Sequence, residues 1–307
     1  MKEKRFYGIC AAVLLAVGMT GCGSLSDTQK PQVTETLQPE RATDERTKED
    51  AEADATKEAE GLETQASATE TASEVVLQET EEEVISEAEY IALLRELPAG
   101  SIVDMSRISE EAVPTLFYAE YISETVFARI DGCSYQENEN ISLDELRYVR
   151  VLHMGFDGET HIGELIVNSK ISTDILDIMQ ALYYAAYPIE QMVLVDTYGG
   201  DDDLSMASNN TSAFNYRNVP GTGRLSNHSY GLAIDINPLY NPYIRTASDG
   251  SVRCDPPEGE AFADRKQDFP YKIDHEDLCY KLFAAHGFQW GGDWRSVKDY
   301  QHFEKTQ

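Results

Sequence analysis

Hydrophobic positions fall into regular periods only from residue 84 onward. In EVISEAEYIALLREL, the spacing of Val84, Ile85, Tyr90, Ile91, Leu93 and Leu94 predicts a short amphipathic helix, interrupted by Pro98-Ala99-Gly100. A second helical or mixed piece is expected near Glu110 to Ile130. The period then changes in ISLDELRYVRVLHMGFDGETHIGELIVN. Val149, Val151 and His153 alternate, Phe156-Asp157-Gly158-Glu159 makes a turn, and Gly163 to Asn168 reads as strand, so a hairpin is expected. STDILDIMQALYYAAYPIEQM predicts a helix capped by Ser172 or Thr173, with Ile175, Leu176, Ile178, Met179 and Leu182 as its apolar positions and an end before Pro188. Near the C-terminus, a helix capped by Asp274 is expected to run through Leu278, Leu282 and Phe283 and to close at Gly287, where a left-handed residue is favoured.

The preceding residues lack these periods. MKEKRFYGICAAVLLAVGMTGC has a basic start, an apolar run too short for a comfortable membrane span, and small residues before Cys22, which together read as an export signal. Its ending, Met19-Thr20-Gly21-Cys22, resembles the bacterial lipobox, which implies cleavage before an acylated Cys22 and a lipid anchor on the outer side of the cell membrane. A simple secretory peptide and a retained membrane anchor are the alternatives, and each exports the protein. From Gly23 to about Glu83 the chain is rich in Glu, Thr, Ala and Ser and nearly free of aromatics. Such a stretch has too little apolar surface to offset its ordering entropy, so a disordered acidic linker is expected, extended by charge repulsion. The expected organisation is thus a signal at 1–22, a linker at 23–83, a mostly helical N-terminal extension at 84–129 and a chemistry-bearing domain at 130–307.

The sequence holds 25 Lys+Arg against 55 Asp+Glu, a formal charge of -30, which argues against a nucleic-acid partner. Of five cysteines, Cys10 leaves with the signal and Cys22 is the lipid site. Cys254 and Cys279 are the candidate disulfide pair, with Cys133 left free, and a buried small apolar role is the alternative for each. No CxxC spacing exists, so a thiolate zinc site is not expected.

The candidate chemistry lies in LSNHSYGLAIDINP. Leu232, Ile234 and Ile236 share one strand face, which sends Asp235 to the other, and Gly231 lets the turn bearing His228 approach closely. His228 and Asp235 are candidate metal ligands, although a histidine hydrogen-bonded to a carboxylate explains the same spacing. A third candidate, His302, lies in DYQHFE beside Phe303, an apolar residue that must pack back on the domain to be ordered. Two imidazoles and a carboxylate suit a catalytic zinc that keeps a position open for water. Asp299, three residues before His302, is a candidate general base, or else a solvated cap or salt-bridge residue.

These motifs together resemble the zinc peptidases that trim bacterial cell-wall stem peptides, a family that includes vancomycin-resistance D,D-dipeptidases, D-Ala-D-Ala carboxypeptidases and phage L-alanyl-D-glutamate endopeptidases. The pattern Ser-x-His-x6-Asp is met by Ser226, His228 and Asp235, and acidic-x-x-His by Asp299 and His302. The aspartate followed by His-Phe-Glu is closer to the endopeptidase branch. The resemblance runs from about Ile130 through Phe303 and implies an α+β domain, with helices packed on a small antiparallel sheet that carries the metal. It implies Zn²⁺ held by His228, Asp235 and His302, Asp299 as general base and Arg217 as oxyanion stabiliser. Ser226 is expected to support either the turn or the substrate. The implied substrate is a peptidoglycan stem peptide. A zinc-containing binding module of hedgehog-like type is the rival reading, and it requires neither Asp299 nor Arg217.

Overall fold

The computed structural model describes residues 85–247 and 249–306. The expected signal, lipid site and linker lie outside them. Among the described residues the fold is α+β, with three small antiparallel sheets and helices packed on them.

The expected hairpin is present and forms the centre of the domain. Strands β2 (Leu146–Met154) and β3 (Thr160–Asn168) pair in continuous register from Leu146↔Asn168 to Met154↔Thr160, and β1 (Tyr118–Glu120) adds to the β2 edge. Both faces of this sheet are covered. Val149, Val151, Leu165 and Val167 point into the larger core, while Leu146, Tyr148 and Ile166 point into a smaller one shared with Val126 and Ile130. That division follows from the two-residue period of side chains along a strand. On the smaller side the buried Glu164 carboxylate pairs with Arg129 and accepts a hydrogen bond from Tyr148 at 2.6 Å.

Helix α1 (Glu87–Glu96) starts with a capping box from Ser86 and Glu89 and buries Tyr90 and Leu94. Leu93, expected on its apolar face, is exposed. The 110–130 stretch contains a 3₁₀ turn, then β1, then helix α2 (Glu124–Ile130). Tyr90, Leu94, Val113, Leu116 and Phe117 enter the same core as the hairpin, so residues 85–129 supply part of the domain's interior.

Helix α3 (Ser172–Tyr184) packs on β2 and buries Ile175, Ile178, Met179 and Leu182 as its period predicts. Its cap differs from expectation. Ile171 takes the N-cap position, and the Ser172 hydroxyl donates back to the Ser169 carbonyl at 3.1 Å. Helix α4 (Asp202–Ala207) is capped by Asp201. Helix α5 (Leu278–Ala285) begins later than expected, with Asp277 as N-cap. Asp274 instead organises the preceding turn by accepting the Glu276 N–H at 2.9 Å. Gly287 closes the helix at φ 81° as expected.

Strands β4 (Ala233–Asp235), β7 (Gln289–Trp290) and β9 (His302–Glu304) form the second sheet, in the order β4-β9-β7. Strands β5 (Tyr243–Thr246), β6 (Val252–Asp255) and β8 (Lys298–Asp299) form the third, in the order β6-β5-β8. Phe303 anchors the second sheet by stacking on Phe283 of α5, with ring centroids 4.3 Å apart. The expected disulfide is absent: Cys254 and Cys279 are both free thiols, as is Cys133. Cys279 faces the interior from α5 as a small apolar residue, whereas the Cys254 thiol donates to the Pro256 carbonyl at 3.4 Å.

Candidate metal centre

Two short strands and one turn bring the proposed ligands together. Ser226 caps a 3₁₀ turn, Asn227–Tyr230, its hydroxyl oxygen accepting the His228 N–H at 3.3 Å. Gly231 ends the turn at φ 64°, and a Cβ there would stand 2.6 Å from the Asn168 nitrogen. Only glycine both adopts that backbone and allows β3 so close. Leu232, Ile234 and Ile236 then enter the core, leaving Asp235 on the opposite face, where His302 of β9 is its direct cross-strand partner.

Nε2 of His228 lies 3.2 Å from Asp235 Oδ2 and 3.1 Å from His302 Nδ1, and His302 Nδ1 lies 3.0 Å from Asp235 Oδ1. All three side chains are buried. A tetrahedral ion with bonds of ~2.0–2.1 Å has ligand–ligand edges of about 3.3 Å. The three residues therefore fit one face of such a polyhedron.

Their hydrogen bonds also call for positive charge at the centre of the cluster. His228 Nδ1 contacts the Ala213 carbonyl at 2.5 Å, and a carbonyl only accepts, so Nδ1 carries a proton. In the neutral ring, Nε2 is then a bare lone pair facing the Asp235 carboxylate. Two buried acceptors at that distance repel unless positive charge lies between them, supplied by an imidazole proton or by a bound ion. On His302 the arrangement is reversed: Nε2 donates to Glu304 Oε2 at 3.0 Å, which directs Nδ1 toward the cluster. Glu304 is itself oriented by Asn227, whose Nδ2 donates to it at 2.5 Å. Such outer carboxylates fix the tautomer of ligating histidines and raise their basicity. Glu304 and Asn227 had no assigned role in the sequence reading, although both stand within motifs already quoted there.

The electrostatics point the same way. Burial alone would raise the Asp235 carboxyl, but the His228 and His302 imidazoles hold it well below the usual carboxylate range. Burial opposes charge on His302, and its bonds to Asp235 and Glu304 overcome this and raise the imidazole to about 10. The site thus stabilises positive charge strongly.

The triad opens onto a cavity of about 510 Å³, whose lining also includes Arg217, Ser226, Trp294 and Asp299. Asp299 ends β8, opposite Tyr243 of β5. Its Oδ1 is sequestered without a hydrogen-bond partner, and burial pushes the carboxyl up to about 7. Gly291 makes this position possible, because a Cβ there would lie 2.5 Å from the Asp299 carbonyl oxygen and 2.7 Å from its Cβ. Arg217 is held by Asp202 of α4, Nη2 to Oδ2 at 2.6 Å, and its backbone N–H donates to Ser229 at 2.9 Å. Asp202 went unnoticed in the sequence because an acidic residue at a helix start reads as dipole complementation.

The remaining histidines stand apart from the triad. His275 pairs with Asp293, His286 with Asp174 and His161 with Asp157, while His153 contacts the Ile189 carbonyl. Asn209 and Asn210 are buried in loop-bracing hydrogen bonds to Glu190 and Val193.

Residues 220–305 match the family model described as D-alanyl-D-alanine carboxypeptidase. This segment is similar to that peptidase family. The match contains His228, Asp235, Asp299 and His302 and begins just after Arg217. It supports the peptidase resemblance drawn from the motifs and does not select the endopeptidase branch. No curated protein and no solved structure matches the chain.

Proposed function

We propose that this chain is a zinc-dependent metallopeptidase that hydrolyses peptide bonds in peptidoglycan stem peptides. The convergence of His228, Asp235 and His302 within the family-matched segment carries the reading. The three residues would hold Zn²⁺, which when bound supplies Lewis acidity toward the scissile carbonyl and makes water more acidic.

The rest of the chemistry falls to the cavity's own side chains. Hydrolysis joins a water oxygen to the carbonyl carbon and breaks the C–N bond. The water proton must reach the departing nitrogen. Asp299 suits that transfer, since its carboxylate lines the triad's cavity with Oδ1 free of any hydrogen-bond partner. Arg217 presents a permanent guanidinium charge to the oxygen on which negative charge develops, and Asp202 fixes its direction. Ser226 supports the His228 turn through its hydroxyl while also lining the cavity, where it can meet substrate. A purely binding zinc module has no use for Asp299 and Arg217 at the mouth of the same cavity.

We further propose that acylated Cys22 anchors the chain outside the cell membrane, with 23–83 spanning part of the wall. No described helix is long and apolar enough to cross a membrane.

The test is mass spectrometry of defined muropeptides incubated with the zinc-loaded protein. Release of D-alanine or of an L-alanine-terminated fragment identifies the bond cleaved. Intact substrates throughout, with stoichiometric zinc bound, would refute the peptidase reading.

A further inference from the structure

One wall of the cavity carries an arrangement that the chemistry above does not use. Strands β5 and β6 pair with Tyr243 opposite Asp255 and Arg245 opposite Arg253. Directly opposed residues, and residues two apart, share a strand face, so these four side chains project to one side. All four line the cavity that contains the triad. Two arginines facing each other across a short hairpin repel, and such like-charge pairs are destabilising.

Of the neighbouring carboxylates, Asp203 and Asp255 lie beside Arg253. Asp255 takes the Nε of Arg253 at 2.7 Å, which leaves that guanidinium's Nη donors free. Asp202 is committed to Arg217, and Asp235 and Glu304 to the histidines. Among the described residues, no carboxylate lies within ion-pair distance of Arg245. Strand β5 also hydrogen-bonds to the strand bearing Asp299, with Tyr243 opposite it. Arg245 therefore lies two residues, or ~7 Å, along the strand from the proton-transfer position.

We propose that Arg245 and Arg253 form a carboxylate-binding subsite that positions the substrate peptide by a free carboxylate near the bond to be cut. This deepens the peptidase reading above and rests on it. Paired guanidiniums suit a carboxylate because each offers parallel N–H donors to its two oxygens. In a stem peptide two sources present this group: the C-terminal carboxylate and the α-carboxylate of D-glutamate.

The experiment measures binding by calorimetry, and cleavage by mass spectrometry, with the zinc-loaded full chain. The probes are a stem pentapeptide as free acid, the same peptide with an amidated C-terminus, and the same peptide with its D-glutamate α-carboxylate amidated. One amidated form should bind the native protein about tenfold or more weaker than the free acid, and which one identifies the source. Arg245→Ala and Arg253→Ala should weaken free-acid binding by a similar factor and leave that amide within about twofold, at unchanged zinc content. Equal binding of all three peptides to the native protein would overturn the subsite, as would an acid preference that survives both substitutions. Cleavage that continues with such an unaltered preference would sink the subsite and spare the peptidase reading. An acid preference that collapses on substitution, in a protein that cleaves nothing, would do the reverse.

Discussion

His302 and Asp235 are cross-strand partners on β9 and β4, and their side chains meet with Nδ1 3.0 Å from Oδ1. A two-strand pairing thus sets the distance between two candidate ligands, while the third candidate arrives on a turn fixed by Gly231. Replacing His302 with alanine should abolish stoichiometric zinc binding. In the native protein, chelation should lower the melting temperature, because an ion bound only by the folded state at 100 times its Kd adds about 2.7 kcal/mol of stability. Elemental analysis and thermal melts with and without chelator check both outcomes.

Glu304 accepts from Nε2 of His302 and would act through it on an ion held by the triad. Glu304→Gln keeps an acceptor for the Nε2 proton and removes the negative charge, so zinc affinity should fall about 10- to 100-fold while the fold is retained. Competition with a zinc-binding dye measures this, and unchanged affinity would show that the carboxylate does not tune the histidine.

Asp299→Asn should retain zinc and lose about 10²- to 10⁴-fold in kcat, since the amide cannot accept the water proton. Loss of zinc in this variant would place Asp299 among the ligands instead.

Gly291→Ala forces a methyl group against the Asp299 backbone, where the nearest atom is a carbonyl oxygen rather than a flexible side-chain tip. Destabilisation of about 1–3 kcal/mol is expected, with activity reduced beyond what the unfolded fraction explains and zinc still bound. Denaturant melts and single-turnover rates at full zinc occupancy separate the two effects.

His153 supplies a pH-dependent contribution remote from the triad. Burial lowers its imidazole to about 4, against 6.5 when unfolded, helped by the neighbouring His161 charge. Between those values the unfolded state binds the additional proton, so this contribution is complete above pH 6.5 and is lost as pH falls toward 4. The loss should be on the order of 3 kcal/mol. His153→Asn, which keeps a donor for the Ile189 carbonyl, should flatten the slope of stability against pH over that interval. An unchanged slope in denaturant titrations would assign the acid sensitivity elsewhere.

Much of this architecture was legible from period and punctuation. The alternation through Val149 and Val151, the stripe from Ile175 to Leu182 and the glycine at 287 each express a local rule of backbone geometry, and each appears where that rule places it. Caps were less legible. Asp274, Ser172 and Thr173 were all acceptable chemically, and the choice fell to neighbours only because tertiary packing set where each helix begins. The disulfide expectation failed for a related reason: a count of cysteines does not reveal that Cys279 points into the core.

The residue types and spacings at 228, 235, 299 and 302 by themselves determined which chemistry this chain can support, because imidazole and carboxylate are the groups that hold a divalent cation and move a proton. Tertiary structure alone decided that His302 uses Nδ1 with Glu304 behind it, that Asp202 directs Arg217 and that Arg245 stands across from Arg253 on the cavity wall. Those relations depend on strand register and on the approach of segments far apart in the chain. Both are set by how the whole core packs, and no local pattern encodes them.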